Sequence, residues 1–361
     1  FYELLTNKLP FETTDPMELV HCHIAQQPLP VHELISDIPL AVSDIIRKLL
    51  AKTPEERYQS TSGIKADLET CGNQLKSQGK IYQFPLGSQD FADKFYIPQK
   101  LYGRDEEINQ LFTAFEEVSE GTTRMVLVTG YSGIGKSALV NEIHKPIIRQ
   151  RGQFISGKFD QLKRDIPYSA ISQAFQELIL KLLSEPEVTL QTWKQKILEA
   201  LGNNGQIIID VIPQVEKIIG KQPAVEELGK TESQNRFNIF FQRFMNVFCQ
   251  KEHPLVMFID DLQWADLPSM NLLEQLISNA DNKYFLMIGA YRDNEVSLTH
   301  PLVSTLEKIN QTKVPVNKIT LYPLKIQHIN QLIADTLNCS TEFSKPLSKL
   351  VAKKTRGNPF F

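Results

Sequence analysis

The stretch GYSGIGKS, residues 130–137, constrains the fold of this chain more than any other part of its sequence. The apolar run RMVLVT precedes it directly and ALVNEI follows it, which predicts a buried strand, a glycine-rich turn and a helix. Glycines let such a turn wrap tightly, so that successive backbone N–H groups converge near the positive end of the helix dipole. The chain is therefore expected to hold a phosphate group here.

The residues of this loop are expected to share the work of holding a nucleotide and its magnesium ion. Lys136 is predicted to reach the β and γ phosphates as a point charge, which gives it a binding and a catalytic role. The Ser137 hydroxyl is predicted to coordinate Mg²⁺. The other predicted nucleotide contacts in the loop come from Gly130, Ser132, Gly133, Ile134, Gly135 and Ala138. Pro146 is expected to end or kink the following helix after about two turns.

A second segment, PLVMFIDDLQWAD at residues 254–266, offers the carboxylate that the metal ion needs. Its apolar run predicts a buried strand that ends at two acids. Asp260 is predicted to bind Mg²⁺ directly or through water, and Asp261 to orient or deprotonate the attacking water. The alternative is a pair of solvated acids in a turn.

Arg292 is the third predicted position of the site. It follows the apolar strand MIGAY, so its guanidinium is placed to reach the γ-phosphate and to respond to its presence. An exposed arginine in a loop is the alternative interpretation.

Short apolar runs alternate with helical segments from about residue 98, which predicts an α/β core in which helices cover both faces of a parallel sheet. The predicted strands are 125–129, 153–157, 254–260, 284–290 and 318–321. Within the predicted core, 98–324, the long helical stretch at about 160–252 is expected to be an insertion. Residues 325–361 are predicted to begin a helical lid.

The N-terminal part of the chain has a different pattern. Residues 1–71 are predicted to form helices and turns, without a sheet of their own. Residues 72–97 are rich in Gly, Ser, Gln and Lys and lack a sustained period, which is typical of a linker.

Composition narrows the class of protein. A chain of 361 residues is long enough for two or three domains, and a net charge of −3 argues against a broad surface for nucleic acid or anionic lipid. The longest apolar runs fall far short of the roughly 20 residues that a membrane-spanning helix needs. Four cysteines without a CxxC pair suit the reducing cytoplasm, which is the expected location.

Taken together, these motifs make residues 98–361 resemble the STAND-type branch of the AAA-related P-loop ATPases. LYGRDEEINQL resembles the opening motif of that family, whose Gly-Arg pair, here Gly103 and Arg104, lies near adenine and phosphate. GYSGIGKS resembles the Walker A element, LVMFIDDLQWAD the Walker B element and YRDNE the sensor segment. TRGNPFF resembles the motif in which a Gly-x-Pro, here Gly357 and Pro359, lets the lid contact the base. The resemblance implies ATP rather than GTP as the nucleotide.

Residues 1–71 resemble the end of the C-terminal lobe of a serine/threonine protein kinase. FYELLTNKLPF is similar to a run in which that family most often has Gly where this chain has Asn7. LLAKTPEERYQS resembles the segment whose arginine, here Arg57, pairs with a glutamate below the activation loop. That glutamate, the glycine-rich loop, its lysine and the catalytic and metal-binding aspartates are absent, so this stretch is not expected to transfer phosphate.

The order of kinase lobe, linker and ATPase is similar to that of large multidomain bacterial sensor proteins, notably cyanobacterial ones. In those proteins a GAF-type domain and a histidine kinase commonly follow, so this chain is expected to be an interior piece with kinase and sensor domains as neighbours. Three interpretations stay open: a switch that hydrolyses ATP slowly, a scaffold whose nucleotide is structural, and a ring-forming motor. The sequence is compatible with an oligomer and does not specify one.

Overall fold

The computed structural model describes the chain except for residues 14–18, 20–21, 24–25, 91–96, 99, 164–165, 280–281 and 313. The described residues divide into two compact units. Unit 1 consists of Phe1–Tyr102 and Lys325–Gly357, and unit 2 consists of Gly103–Leu324 and Asn358–Phe361.

A five-stranded parallel sheet forms the centre of unit 2. Its strands lie in the order β2-β3-β4-β1-β5, and every pairing between neighbours is parallel. The strands are β1 (Thr123–Thr129), β2 (Gln153–Lys158), β3 (Leu255–Asp260), β4 (Phe285–Tyr291) and β5 (Val316–Thr320). The predicted α/β class with a parallel sheet is therefore confirmed, and each predicted strand lies within two residues of an observed one.

Both faces of the central strands are buried, which explains their unbroken apolar sequences. All seven residues of β4 and the first five of β3 are buried, although successive side chains point to opposite faces. The helices of the core are Asp105–Ser119, Lys136–Asn141, His144–Arg149, Leu267–Ser278 and Pro301–Asn310. The helix after the glycine-rich loop ends at Asn141, two turns in and ahead of Pro146, as predicted.

The stretch between β2 and β3 is mostly helical. Its helices are Ser169–Leu182, Glu187–Leu201, Gly205–Ile209, Glu216–Ile219 and Lys230–Asn246. The last of these helices packs through its phenylalanines: Phe241 and Phe244 are fully buried and contact the Phe175 ring. The first of these helices approaches β2 closely, because a Cβ at Gly157 would lie 1.9 Å from the Ala170 carbonyl oxygen.

The described residues of unit 1 form helices joined by turns and irregular segments, without a strand. Its helices are Tyr2–Thr6, Val31–Leu34, Leu40–Leu49, Thr61–Gln78, Ile326–Leu337 and Thr341–Thr355. The C-terminal pair is joined to the N-terminal part by hydrogen bonds: the Tyr102 hydroxyl donates to Asp335 and the Asn338 amide to the Asp90 carbonyl. None of the helices formed by the described residues is both long enough and apolar enough to cross a membrane.

The segment that composition marks as a linker is more ordered than its sequence indicates, although residues 91–96 lie outside the described part. Helix Thr61–Gln78 extends into it, capped at its start by the Ser60 hydroxyl and ended by Gly79 in the left-handed conformation. The Asp90 side chain is buried and accepts hydrogen bonds from the Gln59 and Ser60 N–H groups. Composition indicates neither these caps nor the long-range partner of Asp90.

Candidate functional site

The glycine-rich loop connects β1 to helix Lys136–Asn141 in the conformation that an anion cradle requires. Gly133 and Gly135 have φ angles of 75° and 101°, in the region that residues with a Cβ rarely adopt. Gly135 is also the N-cap residue of the helix and has no side chain that could accept a hydrogen bond. The first backbone N–H groups of the helix are therefore not capped by a side chain from this position. Ile134 is buried beneath the loop, while Ala138 is exposed in the first turn of the helix.

The Lys136 side chain folds back over the loop. Its Nζ donates to the carbonyl oxygens of Gly130 at 2.8 Å and Tyr131 at 3.0 Å, and the residue is only 8% exposed. Burial lowers the pKa of the ammonium group, and the Asp260 carboxylate opposes that effect. Lys136 is thus a buried cation among backbone carbonyls. Among the described residues no carboxylate is bonded to it directly, and a phosphate would supply an anionic partner.

The structure brings the two predicted magnesium ligands together. Ser137 Oγ donates a hydrogen bond to Asp260 Oδ2 at 3.1 Å, although the two residues are far apart in sequence. Ser137 follows β1 and Asp260 ends β3, and β4 lies between these two strands in the sheet. The other Asp260 oxygen accepts from the Asp261 N–H at 2.9 Å. A hydroxyl and a carboxylate oxygen side by side are the hard ligands that Mg²⁺ prefers, so these residues fit the ion.

Asp261 differs from Asp260 in being almost completely buried, with 2% of its surface exposed and a left-handed φ of 54°. Its Oδ2 lies 3.2 Å from Lys158 Nζ at the end of β2, and its Oδ1 lies 3.4 Å from Arg292 Nε. The Gln263 amide donates to Oδ1 at 2.8 Å. The alternative of a solvated acid in a turn therefore does not describe Asp261.

Arg292 lies at the carboxyl end of β4, and its guanidinium is held on several sides. Besides Asp261, it contacts Glu295 Oε1 at 2.8 Å, and its central carbon lies 4.8 Å from the Trp264 ring centroid. The group is 23% exposed, so it is neither a free surface arginine nor fully enclosed. Arg292 and Asp261 are thus adjacent.

The predicted pair Gly103 and Arg104 lies where helix Asp105–Ser119 begins. Gly103 has a φ of 61°, and Arg104 is buried. The Arg104 guanidinium donates to the Tyr322 carbonyl at 2.6 Å and to Glu107 at 3.3 Å. Arg104 thereby fastens the start of this helix to the segment that follows β5, the strand next to β1.

The last four residues of unit 2 lie on the outside of the glycine-rich loop. The Asn358 side chain donates to the Ser132 carbonyl at 2.9 Å and accepts the Phe360 N–H at 3.0 Å. A Cβ at Gly133 would lie 2.7 Å from Phe360 Cβ, so the loop has no room for a side chain at that position. Pro359, predicted to contact the base, lies between the two residues that touch the loop backbone.

Sequence reasoning missed three residues that the structure places in this site: Lys158, Gln263 and Asn358. Lys158 is paired with Asp261 only because β2 and β3 are neighbours in the sheet, a fact that the sequence does not contain. Gln263 and Asn358 stand within motifs recognised from the sequence, DDLQWAD and TRGNPFF, and their positions there are the signal that could have found them.

Comparison with known proteins supports the nucleotide-binding interpretation. Residues 100–288 match the family model described as AAA ATPase domain. The hybrid signal transduction histidine kinase G of Dictyostelium discoideum is 32% identical over all of this chain, which spans 13% of the length of that protein. The serine/threonine-protein kinase PknB of Mycobacterium leprae is 34% identical over 67 residues, 19% of this chain and 11% of that one.

Among solved structures, Cdc6p from Pyrobaculum aerophilum is similar with a TM-score of 0.40 and 12% identity, over 67% of this chain and 51% of the other. The family model, in contrast, spans the glycine-rich loop, the Asp260–Asp261 pair and most of the sheet, just over half of the sequence. The chain therefore belongs to the AAA ATPase domain family.

Proposed function

We propose that unit 2 binds MgATP and hydrolyses it slowly, ATP and water giving ADP and phosphate, as a regulatory switch within a larger signalling protein. The observation that carries this proposal is the contact between Ser137 Oγ and Asp260 Oδ2, which joins the glycine-rich loop to the acidic end of β3. Phosphoryl transfer depends on positioning and charge stabilisation, and this contact supports the proposal because a hydroxyl and a carboxylate side by side could share one magnesium ion.

In this proposal the backbone N–H groups of the loop and Lys136 hold the phosphates. When bound, Mg²⁺ would lie at Ser137 and Asp260 and neutralise charge on the phosphate oxygens. Asp261 accepts a proton from the attacking water or orients it. Because Asp261 is almost fully enclosed and a cation lies against each of its oxygens, we expect one cation to shift when water binds, Arg292 moving toward the γ-phosphate.

We further propose the STAND type and the domain assignment that the motifs imply. Residues 1–71 would be the end of a kinase C-terminal lobe, 72–97 the linker, 98–324 the ATPase core with its insertion at 160–252, and 325–361 the beginning of the lid. The similarity to a histidine kinase over the whole chain and to a serine/threonine kinase over a short stretch supports a parent protein that contains kinase domains.

A scaffold that binds nucleotide without hydrolysing it is the second candidate. The pairing of Asp261 with Lys158 and Arg292 favours it, because each oxygen of the carboxylate already has a cationic partner where an attacking water would have to bind. The two candidates share the same binding site and differ only in turnover. Measurement of phosphate release separates them.

The experiment measures ATP affinity by calorimetry and phosphate release by a coupled assay, using the whole chain with and without Mg²⁺. Lys136→Ala should abolish most of the ATP affinity, and the exposed Lys181→Ala should leave it unchanged. Asp260→Asn should remove the magnesium dependence of binding, and the exposed Asp210→Asn serves as its control. A GTP arm tests the preference for adenine.

Asp261→Asn decides between the switch and the scaffold. If Asp261 activates water, the variant should bind ATP normally and lose turnover by on the order of 10²–10⁴-fold. Phosphate release that is absent from the wild-type chain would leave only the scaffold. Release that is present and equal in wild type and variant would refute the assignment of Asp261 as the residue that activates water. Unaltered ATP affinity in Lys136→Ala would refute both candidates.

A further inference from the structure

Gln263 occupies an unusual position between the ends of two strands. It is 3% exposed and belongs to the short turn Leu262–Trp264 that follows Asp261. Its side-chain nitrogen donates to Asp261 Oδ1 at 2.8 Å, and its side-chain oxygen accepts the Arg292 N–H at 3.2 Å. One amide therefore links the acid after β3 to the first residue after β4.

These two contacts fix the orientation of the amide. Asp261 Oδ1 can only accept and the Arg292 N–H can only donate, so exchanging the amide nitrogen and oxygen would leave both contacts repulsive. The group is buried, and an unsatisfied polar atom would raise the free energy of that orientation further. Gln263 therefore has a single favourable arrangement, and in it the side chain points its donor at the Asp261 carboxylate.

The turn that carries Gln263 is itself held in place. The carbonyl oxygen of Gln263 accepts a hydrogen bond from His300 Nε2 at 3.1 Å. The neighbouring Leu262 packs on β4, where a Cβ at Gly289 would lie 2.4 Å from Leu262 Cδ1. The glycine in β4 thus makes room for this turn, and Gln263 cannot shift without moving the strand contact.

The Asp261 carboxylate is contacted by side chains that differ in their exposure. Its two side-chain cations, Lys158 and Arg292, are 58% and 23% exposed and belong to long flexible side chains. Gln263 is the buried member of this set and the one whose position is set by the backbone around it. When the cations rearrange around a nucleotide, the amide can keep Oδ1 in place and leave Oδ2 for water.

We propose that Gln263 is a positioning residue that holds the Asp261 carboxylate in the orientation that activates water and ties it to the end of β4. This inference rests on the proposed hydrolysis of ATP with Asp261 as the acceptor of the proton. Gln263 does not touch the nucleotide in this proposal and acts through Asp261.

The test compares the whole chain carrying Gln263→Met, Gln263→Glu, Asp261→Asn and the double variant Gln263→Met with Asp261→Asn. Gln263→Met removes both polar contacts, whereas Gln263→Glu keeps the acceptor for Arg292 and places a carboxylate against Asp261. ATP affinity, kcat and thermal unfolding are measured for each. Gln191→Met is the matched control, because Gln191 is an exposed amide with one hydrogen bond, to Glu187.

Gln263→Met and Gln263→Glu should each lower kcat by roughly 10–100-fold, as loss of residues that orient active-site ligands does, with ATP affinity unchanged. In the Asp261→Asn background, Gln263→Met should cause no further loss, because both changes remove one function. A kcat that Gln263→Met leaves at the wild-type value, or a loss that adds fully to that of Asp261→Asn, overturns the inference alone. If Gln263→Met does not fold, Gln263→Glu gives the same decision. Turnover that is absent in wild type, or insensitive to Asp261→Asn, overturns the proposed function and this inference with it.

Discussion

The contact between the C-terminal residues of unit 2 and the glycine-rich loop can be tested by filling the space at Gly133. Gly133→Ala places a methyl group 2.7 Å from Phe360 Cβ, which is closer than two non-bonded carbon atoms approach each other. Gly135→Ala is the matched change, because that glycine also has a positive φ but no heavy atom within 4 Å of its added Cβ. Both variants strain the backbone, and only the first collides with the tail.

The structure limits the size of this collision. Backbone strain should cost about 1–2 kcal/mol in either variant, because alanine resists the left-handed region. Phe360 is 77% exposed, so the tail can leave the loop instead of distorting it. The collision therefore costs no more than the docked tail contributes, about 1 kcal/mol for the hydrogen bond from Asn358 to the Ser132 carbonyl.

Thermal unfolding of the nucleotide-free chain measures the effect. Phe360→Gly removes the colliding Cβ. Its effect on the free energy of unfolding should therefore be more favourable by about 1 kcal/mol in the Gly133→Ala background than in wild type. For a domain of this size, that difference corresponds to about 2–4 °C in Tm. In the Gly135→Ala background Phe360→Gly should recover nothing. Equal effects of Phe360→Gly in the two backgrounds would refute the docking of the tail on the loop.

Two further predictions concern stability. Burial raises the pKa of the Asp335 carboxyl, but hydrogen bonds from Lys100, Tyr102 and Gln331 together lower that pKa below its ordinary value. The stabilisation from the ionised Asp335 is therefore complete above the ordinary carboxyl pKa and is lost as pH falls through the lowered value. Asp335→Asn should therefore reduce the free energy of unfolding of unit 1 by roughly 1–2 kcal/mol at neutral pH and flatten the acid limb of a urea-midpoint titration; a parallel titration curve would contradict this. Gly157→Ala should lower the urea midpoint by the equivalent of about 1–3 kcal/mol or more, since its Cβ would overlap the Ala170 carbonyl, and a midpoint equal to that of wild type would show that helix Ser169–Leu182 does not lie so close to β2.

The parts of the site that depend on local chemistry could be predicted from the sequence. The glycine-rich loop needs glycines for its positive φ angles and a strand and helix on either side, and all of these are contiguous in GYSGIGKS. The strands were recognisable because burial on both faces requires unbroken apolar runs. Ser137 and Asp260 were predicted as ligands of one magnesium ion, and in the structure they lie side by side although β4 separates β3 from β1.

The remaining features depend on which elements become neighbours. Lys158 reaches Asp261 because β3 pairs with β2, and Arg104 finds the Tyr322 carbonyl because β5 lies beside β1. Strand order arises from packing of the whole core, which no single motif encodes. Asp90 was hidden for the same reason: it lies in the segment whose composition is typical of a linker, and its partners are some thirty residues earlier in the chain.

Unit 1 is built from two segments that are separate in sequence, and this has a consequence for limited proteolysis. The backbone passes between the two units at Tyr102–Gly103, at Leu324–Lys325 and again at Gly357–Asn358. A protease that cuts only the first of these connections would not release the N-terminal segment, because that segment is still bound to the C-terminal helices through Tyr102, Asp335 and Asn338. The nicked chain should therefore migrate as one particle under native conditions and as two fragments in denaturant.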